Sequence, residues 1–422
     1  MRAWGLAAAI ALFAGASLPS VPSGETLLVL GGDADGMLAP CGCTKPMSGG
    51  ILRRAAAVRS IVHGKTAVVL ENGGLVAGTG RQDELKAETL AEIFALMGVQ
   101  FVHIGPSEAR LGKGVATAMG TLAPGRMLSS SVAESATMPF ARFGEAGPFL
   151  VGGVSMRTAD VALPLGERPV AIDTAVASLV SAAEASAKAP ILLLRGTLED
   201  ARSVAVRFPS LRMIQYRSSG SPAKEALREG TTWLVSPGED GKHLLRLVWK
   251  GGAFREYSSV NLGPEFPDDP DAARAYARYL TRVGEENLLG ALPRLTGKEF
   301  AGNEKCGTCH SSSHDIWRSS AHAKALETLE KTGHDKDPDC VGCHVVGLSS
   351  TKGFAARLTT PHLTDVGCES CHGAGLAHSI KPTSAPMGKA GETSCASCHV
   401  PKHSPTFVFA DYWRRIAHGA EN

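Results

Sequence analysis

The chain has 422 residues, which leaves room for two or three domains. With 43 Lys and Arg against 41 Asp and Glu its formal charge is +2, which argues against a basic surface for nucleic acid or anionic membranes. At 44% hydrophobic and 20% charged residues, the composition is that of an ordinary soluble protein.

The N-terminus reads as a secretory signal over about 1–20. Arg2 precedes an apolar run from Ala3 to Phe13, and Ala14-Gly15-Ala16 is an A-x-A-like cleavage site. The run is too short to span a bilayer, and no other segment is long and apolar enough to do so. The expected location is the periplasm or beyond. A retained N-terminal anchor is the alternative.

An α/β domain is expected over 21–263. Leu27 to Leu30 is an apolar strand closed by Gly31-Gly32, and Thr66 to Leu70, Gln100 to Ile104 and Ile191 to Leu194 read the same way. Leu90, Ile93, Phe94 and Met97 mark one face of a helix that stops at Gly98. Thr232 to Val235, His243 to Trp249 and Phe254 to Val260 read as a terminal β-meander. Alternating strands and helices predict a layered α/β sandwich. Cys41 and Cys43 sit in a Pro/Gly-rich loop after the first strand, where such folds place their sites. A direct disulfide between them is strained. A disulfide or redox role, a metal or sulfur-compound site and a plain structural role all stay open.

A polar, proline-rich break, Pro264 to Asp271, opens a linker and bridging helix over 264–298. Asp269 caps that helix ahead of Pro270, and Ala272, Tyr276, Tyr279, Leu280 and Val283 form its apolar face.

The last segment, 299–422, changes texture to His, Cys and Ser. It contains Cys306-Gly-Thr-Cys309-His310, Cys340-Val-Gly-Cys343-His344, Cys368-Glu-Ser-Cys371-His372 and Cys395-Ala-Ser-Cys398-His399, which use eight of the ten cysteines. Each is C-x-x-C-H, the attachment pattern of c-type haem: two thiols bond the haem vinyls and the following His ligates the iron. Zinc is the rival for paired C-x-x-C motifs, but zinc ribbons do not need a His after every second Cys. Four covalent haem c groups are expected, wrapped by short helices and irregular loops. Seven more His follow residue 299, namely His314, His322, His334, His362, His378, His403 and His418, against a single Met, Met387. Bis-His ligation is therefore expected wherever the sixth position is filled. His314, His334 and His403 read as surface polar residues.

Cys306 to His310, Trp317 to Ala325, Cys340 to His344, and Cys368 to Gly375 with His378 resemble the tetrahaem cytochrome family of ammonia-oxidising bacteria. The resemblance covers about Phe300 to His418. It implies distal ligands at His322, twelve residues after His310, at His362 between the second and third motifs, and at His378 after the third. It also implies that the haem of His344 is five-coordinate. His418, in Tyr412-Trp-Arg-Arg-Ile-Ala-His418, is a candidate for a fourth distal ligand that would close that site.

The first domain resembles the metallophosphoesterase half of secreted 5′-nucleotidases. The carriers are Leu27 to Gly36, Gly49 to Arg54, Val68 to Gly74, Ile104 to Glu108, Ile191 to Arg195 and Leu234 to Gly241. That family holds two metals with Asp, Asn and His. Here Asp33 remains, Asp35 stands for a His, Gly74 for the bridging Asp, Pro106-Ser107 for an Asn-His pair and Arg195 for another His, while Arg217 to Gly220 offers none. A pseudo-phosphoesterase used for docking or binding is expected.

Three functions follow in order of expectation. The first is an exported tetrahaem carrier passing electrons between redox partner proteins. The second is an oxidoreductase acting on a small nitrogen or sulfur compound at a five-coordinate haem. The third, a hydrolase or sulfur-compound binder on the N-terminal domain, is disfavoured by the lost metal ligands.

Overall fold

The computed structural model describes residues 24–40, 47–133, 140–401 and 403–418. The expected signal segment, Cys41 and Cys43 lie outside the described residues. Among the described residues no helix is long and apolar enough to cross a membrane.

The chain first lays down β1 (Thr26–Gly31), α1 (Ile51–Val62), β2 (Ala67–Glu71), α2 (Arg81–Leu96), β3 (Phe101–His103), α3 (Pro106–Ala109), α4 (Gly112–Leu122) and β4 (Met127–Leu128). A second run holds β5 (Phe143–Ala146), β6 (Phe149–Ser155), α5 (Ala159–Ala162), α6 (Ile172–Ala185), β7 (Ala189–Arg195), α7 (Leu198–Arg207), β8 (Met213–Gln215), β9 (Leu227–Glu229) and β10 (Thr232–Val235). Then β11 (His243–Lys250) and β12 (Ala253–Asn261) return to the first sheet. The sheets have the orders β12-β11-β1-β2-β3-β4 and β5-β6-β7-β8-β10-β9. β1 to β4 run parallel, as do β6, β7, β8 and β10.

The apolar runs are continuous because each inner strand is covered on both faces. In β1, Leu28 and Leu30 pack against Val151, Ile191 and Leu193 of the second sheet. Leu27 and Val29 face the other way, toward Leu90 and Phe94 of α2. The second sheet packs its outer face on α6 and α7 through Leu192, Leu194, Val176 and Val204. The result is a helix–sheet–sheet–helix sandwich, the expected layered architecture. The expected meander is corrected: β10 pairs with β8 and β9 in the second sheet, while β11 and β12 form a hairpin on β1. Local alternation specifies strands but not which sheet receives them.

One ion pair is sealed in the first sheet. Arg54 of α1 reaches both carboxylate oxygens of Glu71 at 3.1 and 3.0 Å, and the two side chains are 2% and 0% exposed. Gly241 gives the guanidinium room, since a Cβ there would overlap Arg54 Nη2.

Helix α8 (Pro270–Glu285) has the expected cap: Asp269 Oδ1 accepts the backbone N–H groups of Asp271 and Ala272 at 3.0 and 3.1 Å. It buries Ala272, Tyr276, Tyr279 and Val283 against the helices of the first sheet. It also bridges. The Tyr276 hydroxyl lies 2.7 Å from His334 Nε2.

The C-terminal region is built from short pieces: α9 (Asn303–Gly307), α10 (Ser311–Ser319), α11 (Ala325–Glu330), α12 (Pro338–Val341), α13 (Cys368–His372), α14 (Leu376–Ile380), α15 (Glu392–Ala396) and α16 (Phe409–Trp413). A small core of Leu326, Leu329, Val341, Val345, Phe354 and Leu363 surrounds the second motif. The first and third motifs are tied by Glu369, whose buried carboxylate accepts N–H groups of Ala301, Gly302 and Gly375 at 2.8, 2.8 and 2.6 Å. Asn303 Oδ1 accepts the N–H of Cys368 at 2.9 Å. The second motif is tied to the N-terminal domain. Gln82 of α2 donates to Asp337 Oδ1 at 2.7 Å, and Lys86 pairs with Asp339, next to Cys340.

Two outcomes follow. Arg54→Met strands Glu71 without its cation and lowers unfolding stability by about 3–5 kcal/mol at neutral pH. Burial already holds Glu71 above its ordinary 4.5 against the pull of Arg54. Without the arginine it rises further, so the deficit relative to the parent protein shrinks as pH falls toward that ordinary value. Denaturant unfolding across pH checks both statements. Glu369→Gln replaces an ionised acceptor by a neutral amide and costs about 1–3 kcal/mol, read from thermal unfolding of the complete protein.

Candidate functional site

The C-terminal region gathers its histidines in pairs. Ring centroids of His310 and His378 are 6.3 Å apart, those of His322 and His399 6.3 Å, and those of His372 and His418 5.8 Å. An ion between two imidazoles, with metal–nitrogen bonds of about 2 Å and roughly 1.1 Å from each nitrogen to its ring centre, calls for about 6.2 Å. Each pair joins one C-x-x-C-H histidine to a histidine read as a distal ligand.

Nδ1 contacts orient these rings. His344 Nδ1 lies 2.7 Å from Ala325 O, His372 Nδ1 2.8 Å from Gly388 O, His378 Nδ1 3.0 Å from Ala385 O and His418 Nδ1 2.9 Å from Ile416 O. A carbonyl only accepts, so Nδ1 carries the proton and Nε2 keeps the lone pair that a metal needs. His399 Nδ1 lies 3.1 Å from Ser404 Oγ. Burial holds His322 and His399 below the ordinary imidazole value, and for His322 the neighbouring His399 adds to it. Both are thus kept neutral, as ligands must be.

His344 differs. Among the described residues no second imidazole makes a ring contact with it. His362 is not brought to a proximal ring. It is exposed on the turn Pro361–Leu363, packed against Gly302. His418 instead faces His372, because α16 returns the chain to the third motif, so it does not close the His344 position. Of the three histidines read as surface groups, His314 is 5% exposed against Trp317 and His334 meets Tyr276, while His403 is half-buried. Their neighbours come from tertiary packing, which no local pattern encodes.

The cysteines put the motifs in a spatial order. All eight thiols of the four motifs are free of disulfides. Cys306 and Cys368 lie within hydrogen-bonding reach, as do Cys343 and Cys398. Ser394 Oγ donates to Cys371 O at 3.3 Å. The motifs therefore line up first, third, fourth, second. Beyond Leu363 no apolar side chain of the described residues is fully buried, yet Phe407 and Tyr412 pack on the His399 ring at 4.8 and 5.3 Å. Half-buried aromatics, oriented Nε2 atoms and two free thiols in each C-x-x-C-H motif fit a large apolar prosthetic group that carries a metal.

A second site lies where the parallel strands of both sheets end, the usual ligand position in α/β folds. Asp33 and Asp35 follow β1, Gly73 and Gly74 follow β2, Pro106 and Ser107 follow β3, Arg195 ends β7 and Arg217 follows β8. Positions read as degenerate metal ligands thus converge. Arg195 Nη1 donates to Asp33 Oδ1 at 2.6 Å, and Arg217 lies 3.2 Å from Asp33 and 3.7 Å from Asp35. Gly74, at φ 70°, makes room: a Cβ there would sit 2.6 Å from Asp33 Oδ1 and 2.9 Å from the guanidinium. Burial raises the Asp33 carboxyl above its ordinary value, opposed chiefly by Arg195. His103 bonds Asn72 Oδ1 through Nδ1 at 3.0 Å, and burial, helped by Arg195, lowers its pKa to about 3. The sequence reading missed His103 and Asn72. A His ending an apolar strand was the available signal. Among the described residues no three His, Cys, Asp or Glu side chains converge as a metal site.

Residues 305–373 match the family described as cytochrome c554 and c-prime. Cytochrome c-554 of Nitrosomonas europaea is 40% identical over 91 residues, which cover 18% of this chain and 39% of that protein. The chain thus spans about two fifths of that relative's length. The 5′-nucleotidase precursor of Thermus thermophilus superposes with a TM-score of 0.53 at 17% identity, covering 73% of this chain and 68% of that one. The sulfate thiohydrolase SoxB of Thermus thermophilus gives 0.51 at 17% identity, covering 64% and 62%. These two likenesses concern the fold alone. The chain is a fusion: its C-terminal region is similar to the cytochrome c554 family, whose members hold covalently bound haem c, and its N-terminal region has the fold of 5′-nucleotidases and related metallophosphoesterases.

Proposed function

We propose that the protein is an exported electron carrier with four covalent haem c groups, attached at Cys306/Cys309, Cys340/Cys343, Cys368/Cys371 and Cys395/Cys398. His310, His344, His372 and His399 serve as proximal ligands. His378, His399's partner His322, and His418 complete the haems of the first, fourth and third motifs. The observation that carries this reading is the set of three imidazole pairs at 5.8–6.3 Å, each containing one motif histidine. Bound haem supplies a one-electron couple. The chain's own contribution is to hold His344, His372, His378, His399 and His418 by their Nδ1 contacts and to set neighbouring motifs in the order first, third, fourth, second. Electrons then pass along that row between a donor and an acceptor protein. Export agrees with the Arg2 to Ala16 segment and with haem attachment outside the cytoplasm.

The N-terminal domain is read as a pseudo-phosphoesterase that docks or binds. It adjoins the second-motif end of the row through Gln82, Lys86 and Tyr276. Where two metals would sit, Asp33 already has a cation in Arg195. Hydrolysis of p-nitrophenyl phosphate with added manganese is expected to stay at background.

The single imidazole at the second motif favours one further reading, in which that site takes a small nitrogen or sulfur compound. Absorption and EPR spectra of the oxidised protein, then carbon monoxide addition to the reduced form, test both. Three low-spin haems and one high-spin haem that binds carbon monoxide are expected. His418→Ala is expected to convert a second haem to high spin. Four low-spin haems would overturn the ligand set, and a protein without covalent haem would overturn the function.

A further inference from the structure

We propose that the cleft of the N-terminal domain is a binding site for a small-molecule oxyanion, held by arginine instead of metal. The inference rests on reading this domain as a binding module, and it is independent of the haem ligand set. The cleft encloses about 460 Å³ between Asp35, Ser107, Arg110, Arg195, Thr197 and Arg217, with Val76 and Ala77 on its wall. That size suits a small ligand. Three guanidinium groups face it against the single carboxylate of Asp35.

The three arginines differ in how they are held. Arg195 is 9% exposed and fixed from behind, with Nη1 on Asp33 Oδ1 at 2.6 Å and on Asn72 O at 3.4 Å. Its Nε and Nη2 have no protein partner among the described residues, so the face of the fork toward the cleft remains available. Arg217 is 54% exposed and leans on Asp33 and Asp35. The side chain of Arg110 is exposed and makes no ion pair or hydrogen bond among the described residues. One buried fork and two more exposed ones suit an anion with several equivalent oxygens, because guanidinium donates two parallel hydrogen bonds to such a group.

The charge here is permanent. A guanidinium does not lose its proton or dissociate as a metal does. The hydroxyls of Thr197 and Ser107 donate to Asp200 and Glu108. Among the described residues no metal-ligand set converges at the cleft, so binding is the role assigned to it.

Isothermal titration of the complete haem-loaded protein with sodium sulfate, sodium phosphate and adenosine monophosphate tests this, with sodium chloride at matched ionic strength as the reference. One-to-one binding of an oxyanion above the chloride background is expected. The double variant R110Q/R217Q should weaken it roughly tenfold or more, as expected for hydrogen bonds to a charged group. Tighter binding of the nucleotide than of phosphate would identify the anion as part of a larger molecule, and equal binding would identify the free ion. Heats no different from chloride at millimolar concentration, or binding unchanged in R110Q/R217Q, would overturn the proposal. Melting temperature establishes that the variant is folded, and R110Q alone, at an exposed and unpaired position, serves if the double variant is not. Haem spectra of the same samples report the carrier reading separately.

Discussion

A neutral imidazole has one nitrogen that donates and one that accepts, so a hydrogen bond at Nδ1 decides which nitrogen a metal meets. The C-terminal region is arranged around that constraint. Ala325, Gly388, Ala385 and Ile416 offer carbonyls at 2.7–3.0 Å to four of its histidines. Ala325 opens α11, which the core residues Leu326 and Leu329 position, whereas Gly388 and Ala385 sit in a loop. Glu369 does for the backbone what the carbonyls do for the rings. One carboxylate gathers three N–H groups and locks the first motif to the third.

In the N-terminal domain a guanidinium lies against the buried carboxylate that follows the first strand. A buried carboxylate needs a counter-charge. Asp33 has Arg195, as Glu71 has Arg54, and both pairs lie at the C-terminal ends of parallel strands. The sandwich has a cleft at these strand ends, and among the described residues no three His, Cys, Asp or Glu side chains converge there as a metal site. Fold and site chemistry are separate properties, so likeness to a nucleotidase speaks for the architecture alone.

Polar side chains join the two halves. Gln82 donates to both Tyr279 Oη and Asp337, at 2.9 and 2.7 Å, Lys86 meets Asp339, and Tyr276 meets His334. All of these reach the segment that leads into the second motif. Lys86 Nζ also lies beside Gly36, in the loop that carries Asp33 and Asp35. The motif whose histidine lacks an opposite imidazole is thus the one nearest the N-terminal domain.

Chemistry written as contiguous spacing was legible from the chain alone. The four C-x-x-C-H motifs, the strands at Leu27, Ala67 and Ile191, the Asp269 cap and the loss of metal ligands at Gly74 and Arg195 all follow from residue type and local order. Ring pairing was partly legible: His322 and His378 face motif histidines, whereas His362 does not and His418 faces the third motif. Such pairs join residues through space, so spacing along the chain only nominates candidates. Burial of His314, assignment of β10 to the second sheet, and the meeting of Arg195 with Asp33 across 162 residues are likewise products of packing. The sequence by itself determined which groups are candidates for the chemistry, because covalent attachment and metal binding demand particular side chains. Only the tertiary structure decided which of them meet, because the loops between motifs leave the pairing to the closure of the whole fold.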